Sequence, residues 1–422
     1  MYKLSVLKNG IKIITHNMPA AHGVTTSIFW GVGSRYEKEK VAGVSHYLEH
    51  MFFKGTKNRP EPEDIARSIE GVGGYLNAST SQDHTIYYNR VPKEHSERAL
   101  EVLADMMNNS LFDEEALERE RGVILEELNM YLDTPIRYIY DLMMNLTFEG
   151  NTLGRDILGT RESLKNMRRA DLVEYIKNYY QPQKTVVSIA GRVGHQKTVR
   201  MIEKYFGQIK KAPQPQYKKV AGEHRGPRIL IHNKKTDQAH LSLSMRSLPY
   251  NHKDTPILTL LDTILGGGMS SRLFLNIREK LGLCYYINSS VEAFTDAGVF
   301  AVNAGLNTDK IELAIKMIWQ ELKKMAEVKV TKSELAEAKE YLRGSTRLEI
   351  DNTDMLSLWY GTQGLFSKKI KTPEHKIKEL SRVSENDIMK LARKLFAPER
   401  LNLAMIGPFE EKQKKDFLKI LK

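Results

Sequence analysis

One group of residues in this sequence has evident chemical capacity: His46-Tyr-Leu-Glu49-His50. It lies in a stretch where Val44, Leu48, Met51 and Phe52 recur at helical spacing, and Gly55 reads as the helix stop. On a helix, His46 and His50 stand one turn apart, so both imidazoles project from one face. Two nitrogens placed in this way suit one Zn²⁺ at ~2.0–2.1 Å. Glu49 falls near the same face, where its carboxylate can take a proton from water. A lone histidine is ordinarily packed or solvated. The pair with its glutamate is what points to a metal.

Zinc hydrolases usually take three protein ligands and leave one position to water. The third ligand is therefore expected to be an acid on a separate element. A helix announced by the cap Asp113-Glu-Glu-Ala-Leu117 offers candidates. Leu117, Glu120, Ile124, Glu127, Leu128 and Tyr131 fall on one stripe, so Glu120 and Glu127 interrupt an otherwise apolar face. Unpaired carboxylates buried there would cost on the order of several kcal/mol, and a cation resolves both. Glu114, Glu115, Glu118 and Glu126 suit solvated positions better.

The elements that hold these residues belong to a chain of 422 residues with one Cys. At roughly 150 residues per domain, that length suggests two or three domains. Hydrophobic residues at 41% and charged residues at 27% describe a globular fold. A single Cys excludes a disulfide framework and a cysteine-only zinc module. Cys284 has no activating base beside it and reads as a buried small hydrophobe. The net charge of +12 is spread over helical faces such as Glu37-Lys38-Glu39-Lys40, without a zinc finger or an aromatic-interleaved basic strand, so no nucleic-acid partner is expected. No run approaches the ~18 apolar residues of a membrane span, and the N-terminal stretch is too short for a signal peptide. No membrane association and a cytoplasmic location are the expectations.

Proline, lysine and glycine cluster in residues 213–227, where hydrophobic periodicity stops, as in an exposed linker. The expected domains are an N-terminal zinc-binding catalytic domain, 1–212, and a homologous C-terminal domain without a metal motif, 228–422. Each half opens with two alternating strands, Ile11–Thr15 and Val24–Trp30, then Ile229–His232 and Ala239–Met245. Later each has a capped long helix, and the caps at Asp113 and Thr331 stand 218 residues apart. A duplicated α+β fold follows, each copy a mainly antiparallel sheet with helices packed on one face. The same offset lays His50 over Gly268, Glu120 over Ala338 and Glu127 over Ser345, so the second half lacks the metal set. It carries Arg278-Glu-Lys-Leu-Gly-Leu-Cys-Tyr285, which on spacing alone is a helical arginine and a strand tyrosine. Gly266–Gly268 lacks the Lys-Ser/Thr of a phosphate loop and reads as a turn.

His46-x-x-Glu49-His50, followed 77 residues later by Glu127, resembles the inverted zinc motif of the insulinase/pitrilysin family. The two-domain length looks most like that family's mitochondrial processing peptidase-like branch. The resemblance implies a zinc metalloendopeptidase with one Zn²⁺ per chain. His46, His50 and Glu127 would be the ligands, Glu49 the general base, and Glu120 an acid supporting the site. Gly73-Gly-Tyr-Leu-Asn-Ala-Ser-Thr80 is similar to the family's substrate-pairing edge strand, which implies peptide binding at Asn77, Ala78, Ser79 and Thr80. Leu153–Gly159 and Gly266–Phe274 extend the resemblance over nearly the whole chain. Arg278 and Tyr285 resemble an Arg-x6-Tyr pair that binds the peptide and its developing oxyanion. Two domains imply half of a clamshell that closes around the substrate, completed in a homodimer or with a related chain. Arg137 stands where the processing branch carries an acid for arginine recognition, although Asp141 occupies the next such position, so broad peptide cleavage is expected. The alternative is a non-catalytic scaffold subunit of a processing-peptidase-like complex.

Overall fold

Two sheets organise the chain, and both follow one strand order. The computed structural model describes residues 1–222 and 226–421; Glu223, His224 and Arg225 of the expected linker, and Lys422, lie outside the described residues. The strands are β1 (Tyr2–Val6), β2 (Lys12–Asn17), β3 (Gly23–Trp30), β4 (Tyr75–Thr80), β5 (Thr85–Pro92) and β6 (Thr185–Gly191), then β7 (Arg228–Asn233), β8 (Gln238–Ser247), β9 (Cys284–Ala293), β10 (Gly298–Asn307) and β11 (Asn402–Gly407). The first sheet runs β1-β2-β6-β3-β5-β4 and the second β7-β11-β8-β10-β9. With β1 set aside, the orders are the same. Each sheet holds one parallel pair, β2 with β6 and β7 with β11, and is otherwise antiparallel. The alternating strands expected at the start of each half are β2, β3, β7 and β8.

The chain groups into two units, neither of them continuous in sequence. One comprises Met1–Leu128, Arg155–Lys218 and Arg347–Lys371; the other comprises Asn129–Gly154, Lys219–Thr346 and Thr372–Lys422. The grouping differs from a single cut within residues 213–227, because each half of the chain lends one helix to the other half's sheet. The physical reason lies in the sheets. Their central strands are apolar on both faces, and most helices cover only one of them.

In the first unit, Ile28, Tyr87 and Asn89 face one way, and the Asn89 side chain donates to the Ala99 carbonyl of the helix Ser96–Asn109. On the opposite face, Ile14, Phe29, Ile86 and Val186 pack against Leu356 and Tyr360 of the helix Thr353–Phe366. The helix lies close because it presents glycine. A Cβ at Gly361 would stand 1.9 Å from the Phe29 ring, and one at Gly364 would stand 2.4 Å from Ile14. Hydroxyls complete the contact: Ser27 and Ser357 meet at 2.8 Å, and Thr25 donates to Asp354 at 2.6 Å.

The second unit repeats the scheme. Leu243, Met245, Phe300, Val302 and Met405 pack on Leu261, Ile315, Ile318 and Trp319 on one face. The helix Pro135–Thr147 covers the other, with Ile139, Met143 and Phe148 against Val299, Ala301 and Ile406. The expected cap of the helix Lys332–Glu349 is present: the Glu334 amide donates to Thr331 Oγ1, and the Thr331 amide to Glu334 Oε2. Arg272 grips the same carboxylate at 2.7 and 3.0 Å.

The segment expected as an exposed linker is tied down at several points: the Val220 amide donates to Asp296 Oδ2 at 2.9 Å, and Asn151 donates to the Lys219 carbonyl at 3.0 Å. Tyr217 lies over the Arg35 guanidinium at 3.8 Å, and Arg35, buried, also pairs with Asp83 at 2.7 Å. Among the described residues no helix is long and apolar enough to cross a membrane.

The glycines of the two long helices predict opposite responses. Gly361→Val forces three carbons against Phe29 and should destabilise the protein by about 1–3 kcal/mol. Gly344→Ala meets nothing within 4 Å and should raise stability by up to ~1 kcal/mol through helix propensity. Thermal unfolding of the two variants beside the parent checks both signs.

Candidate metal centre

The helix Val44–Met51 is short, and its surroundings determine where it starts. Gly43 precedes it with φ +91°, and a Cβ there would meet the Leu158 carbonyl oxygen at 2.3 Å. Gly159 answers from the other side, where a Cβ would lie 2.2 Å from the Ala42 oxygen. Two glycines let two backbones touch at this point. A glycine cannot cap a helix with its side chain, and Glu37 does so from six residues away. Its two carboxylate oxygens accept from the Gly43 amide at 2.6 Å and the Ser45 amide at 2.8 Å. Burial pushes the Glu37 carboxyl up to about 7, against the pull of those two amides. The helix ends at Met51 with Phe52 as its C-cap; Gly55, φ +109°, turns the loop beyond rather than ending the helix itself.

Val44, Tyr47, Leu48 and Met51 are buried, and this leaves His46, Glu49 and His50 on the remaining face. The second helix, Glu114–Asp133, begins at its expected cap, with Asp113 Oδ1 accepting from the Ala116 amide at 2.9 Å. Leu117, Ile124 and Leu128 bury the stripe that carries Glu120 and Glu127. Tyr47 Oη ties the two helices by donating to the Leu117 carbonyl at 2.5 Å.

The two helices bring His46, His50 and Glu127 together, with their ligand atoms all within 4.8 Å of one another. Glu127 Oε2 is 3.6 Å from Nε2 of His46 and 3.6 Å from Nε2 of His50. These separations exceed a hydrogen bond. They lie close to the roughly 3.3–3.4 Å edge of a tetrahedron with ~2.0–2.1 Å bonds to zinc. Glu120 Oε2 lies 3.0 Å from Nδ1 of His50. A carboxylate only accepts, so Nδ1 carries a proton, and Nε2 is the nitrogen turned toward Glu127. Burial lowers the pKa of His46 and keeps it neutral, the form that binds metal. Burial lowers that of His50 too, but the hydrogen bond to Glu120 and the nearby charge of Glu127 outweigh it and raise it. Converging acceptors that draw in a positive charge are the donor set of a cation site, and the residues fit zinc.

Glu49 and Glu120 sit beside the triad in different ways. Glu49 Oε2 accepts from Thr80 Oγ1 at 2.5 Å, and burial raises its pKa. Glu120 is buried and shares its other oxygen with Lys54 Nζ at 2.8 Å. Thr80 ends β4, which pairs with β5 on one side only and is the edge of its sheet. Along β4, Asn77 and Ser79 are exposed while Ala78 and Thr80 are half-buried.

Arg278 and Tyr285 belong to the second unit. Arg278 lies in the π-helical turn Phe274–Glu279, its guanidinium 4.6 Å from the centre of the Phe274 ring. Tyr285 is 74% exposed near the start of the edge strand β9. Gly266–Gly268 closes the helix Thr255–Gly266, and a Cβ on Gly266 would strike the Ser289 amide at 2.2 Å, so it is a turn. Cys284 is half-buried, and burial pushes its thiol up to about 11, as suits a packed residue.

Sequence reasoning missed Glu37, Lys54 and the hydroxyl of Tyr47. Lys54 had a signal, four residues after His50, one turn further along the motif. Glu37 had none, since its role depends on a loop folding back. Its folded pKa of about 7 exceeds the ordinary 4.5, so its contribution to stability is full below pH 4.5 and declines as pH rises through 7. Glu37→Gln should flatten this part of the unfolding midpoint's pH dependence. Parallel profiles for parent and variant between pH 4 and 8 would contradict it.

Comparison with known proteins places this geometry. Residues 12–161 match the family model "Insulinase (Peptidase family M16)", and residues 166–342 match "Peptidase M16 inactive domain". An uncharacterized zinc protease of Bacillus subtilis is 36% identical over 408 residues, covering 97% of this chain and 98% of the relative. One from Rickettsia felis is 36% identical over 408 residues, covering 96% and 98%. The crystal structure of a protease from Helicobacter pylori shares the fold with a TM-score of 0.90 at 23% identity, covering 97% of this chain and 99% of that one. The metal motif lies within the matched N-terminal half, and the half without one matches the inactive-domain model. The chain belongs to the insulinase family, peptidase family M16.

Proposed function

We propose that the chain is a zinc-dependent endopeptidase that hydrolyses peptides or unfolded segments. One observation carries the reading: two histidines and a glutamate from two helices converge at 3.6 Å beside a half-buried carboxylate that is not one of them, Glu49. The family, and relatives named as zinc proteases, support the same reading. His46, His50 and Glu127 would hold one zinc per chain. When bound, the metal acidifies water and polarises a carbonyl, the two needs of amide hydrolysis.

The chain's own groups supply the remaining chemistry. Thr80 occupies Oε2 of Glu49, which leaves Oε1 to accept the proton of the attacking water. The same carboxyl then delivers that proton to the leaving amine. Burial keeps its pKa above the ordinary carboxylate value, as both transfers require. Asn77 to Thr80 on the open edge of β4 would pair with the peptide backbone as an added strand, a contact that reads main chain more than sequence. Arg278 and Tyr285 would bring donors to the developing oxyanion. Arg137, where the processing branch carries an acid, favours broad cleavage over presequence recognition.

We further propose a homodimer in which the partner's Arg278–Tyr285 segment completes each site, since one chain keeps both sets of residues. A peptide-library digest read by mass spectrometry, wild type against Glu49→Gln, tests the activity. Products should vanish in the variant, and identical digests would sink the protease reading. Fewer than about half a zinc per purified chain would favour the non-catalytic scaffold. Mixing Glu49→Gln with Arg278→Ala chains should regain part of the activity. No recovery despite confirmed mixed dimers would refute shared sites.

A further inference from the structure

The proposed zinc site leaves one charged group unexplained. Lys54 stands three residues beyond the helix Val44–Met51, in the turn where its amide donates to the Met51 carbonyl at 3.2 Å. Its side chain returns to the helix Glu114–Asp133 and meets Glu120 Oε1 at 2.8 Å. The Glu120 side chain is only 9% exposed, so this is not a surface ion pair of the kind that contributes little. The other oxygen of the same carboxylate takes the Nδ1 proton of His50 at 3.0 Å. Both oxygens are therefore committed, one to a cation and one to an imidazole.

We propose that Lys54 is a positioning residue of the metal site, acting through Glu120 on His50. The inference rests on the zinc reading above. Glu120 has three side-chain torsions and could swing away from His50 or toward the ligands. Lys54 removes that freedom by holding one carboxylate oxygen in place. The fixed carboxylate in turn holds the His50 ring with a proton on Nδ1 and with Nε2 turned toward Glu127. Partners of this kind behind a ligand typically contribute 10- to 100-fold in metal affinity. Lys54 also comes from the loop after one helix while Glu120 sits on the other, so the pair ties the two helices together.

The test uses the full chain, stripped with a chelator and titrated with Zn²⁺ against a chromophoric competitor. Lys54→Met should weaken zinc binding about tenfold or more, and Lys54→Arg should stay within about threefold of wild type. The metal-free Lys54→Met protein should unfold within a few degrees of metal-free wild type. In a Glu120→Gln background, Lys54→Met should change affinity by less than about threefold, because the route through the carboxylate is already broken. Cobalt(II) in place of zinc should give an altered visible spectrum in Lys54→Met and a wild-type one in Lys54→Arg. Unchanged affinity in Lys54→Met, an undiminished effect without Glu120, or a loss of affinity matched by collapse of the metal-free fold would each overturn the proposal. A wild-type chain that binds no zinc would instead refute the metal site itself.

Discussion

Two carboxylates and two imidazoles held together in one half-buried cluster are the interaction on which the rest depends. Such a group is unstable without positive charge, because buried acceptors facing one another gain nothing from their contact. It persists only if both helices are fixed from behind. Tyr47 bonding to the Leu117 carbonyl, Lys54 bonding to Glu120 and Glu37 capping the first turn are three separate ties, and each acts on a helix that carries part of the His46, His50 and Glu127 triad. The short helix Val44–Met51 could not hold its place on propensity alone, since eight residues is below what an isolated helix needs in water.

The sheets supply the frame around this cluster. Both follow one strand order, and both cover one face with a helix taken from the other half of the chain. The second unit keeps the architecture and abandons the chemistry. Under the repeat offset, Gly268, Ala338 and Ser345 stand where the first has His50, Glu120 and Glu127. Lys54 is matched by Arg272, which grips the capping carboxylate Glu334 instead of an acid aimed at a histidine. A cation at this place in the chain is retained, but it serves a helix cap.

The motif, the caps at Asp113 and Thr331, the four opening strands and the turn at Gly266–Gly268 were legible in the sequence because each rests on local spacing. The stripe containing Glu120 and Glu127 was legible for the same reason: carboxylates at i and i+7 on an apolar face contradict its pattern. The two roles of those acids were not separable by spacing. Only the fold turns Glu127 toward both Nε2 atoms and Glu120 toward Nδ1 and Lys54. β6 and β11 also went unread, since central strands buried on both faces lack the alternation that betrays an edge strand.

By itself the sequence determined the motif residues, the helix that pairs the histidines, and the existence of two related halves. These depend on which residues lie within a turn or two of each other. Tertiary structure alone decided that Thr80 meets Glu49, that Glu37 caps the zinc-motif helix, and that Thr353–Phe366 lies on the first sheet. Those pairings join residues 31, 6 and more than 160 positions apart through folded-back chain. No local periodicity encodes them. They are set by which surfaces exclude water together, a property of the whole fold.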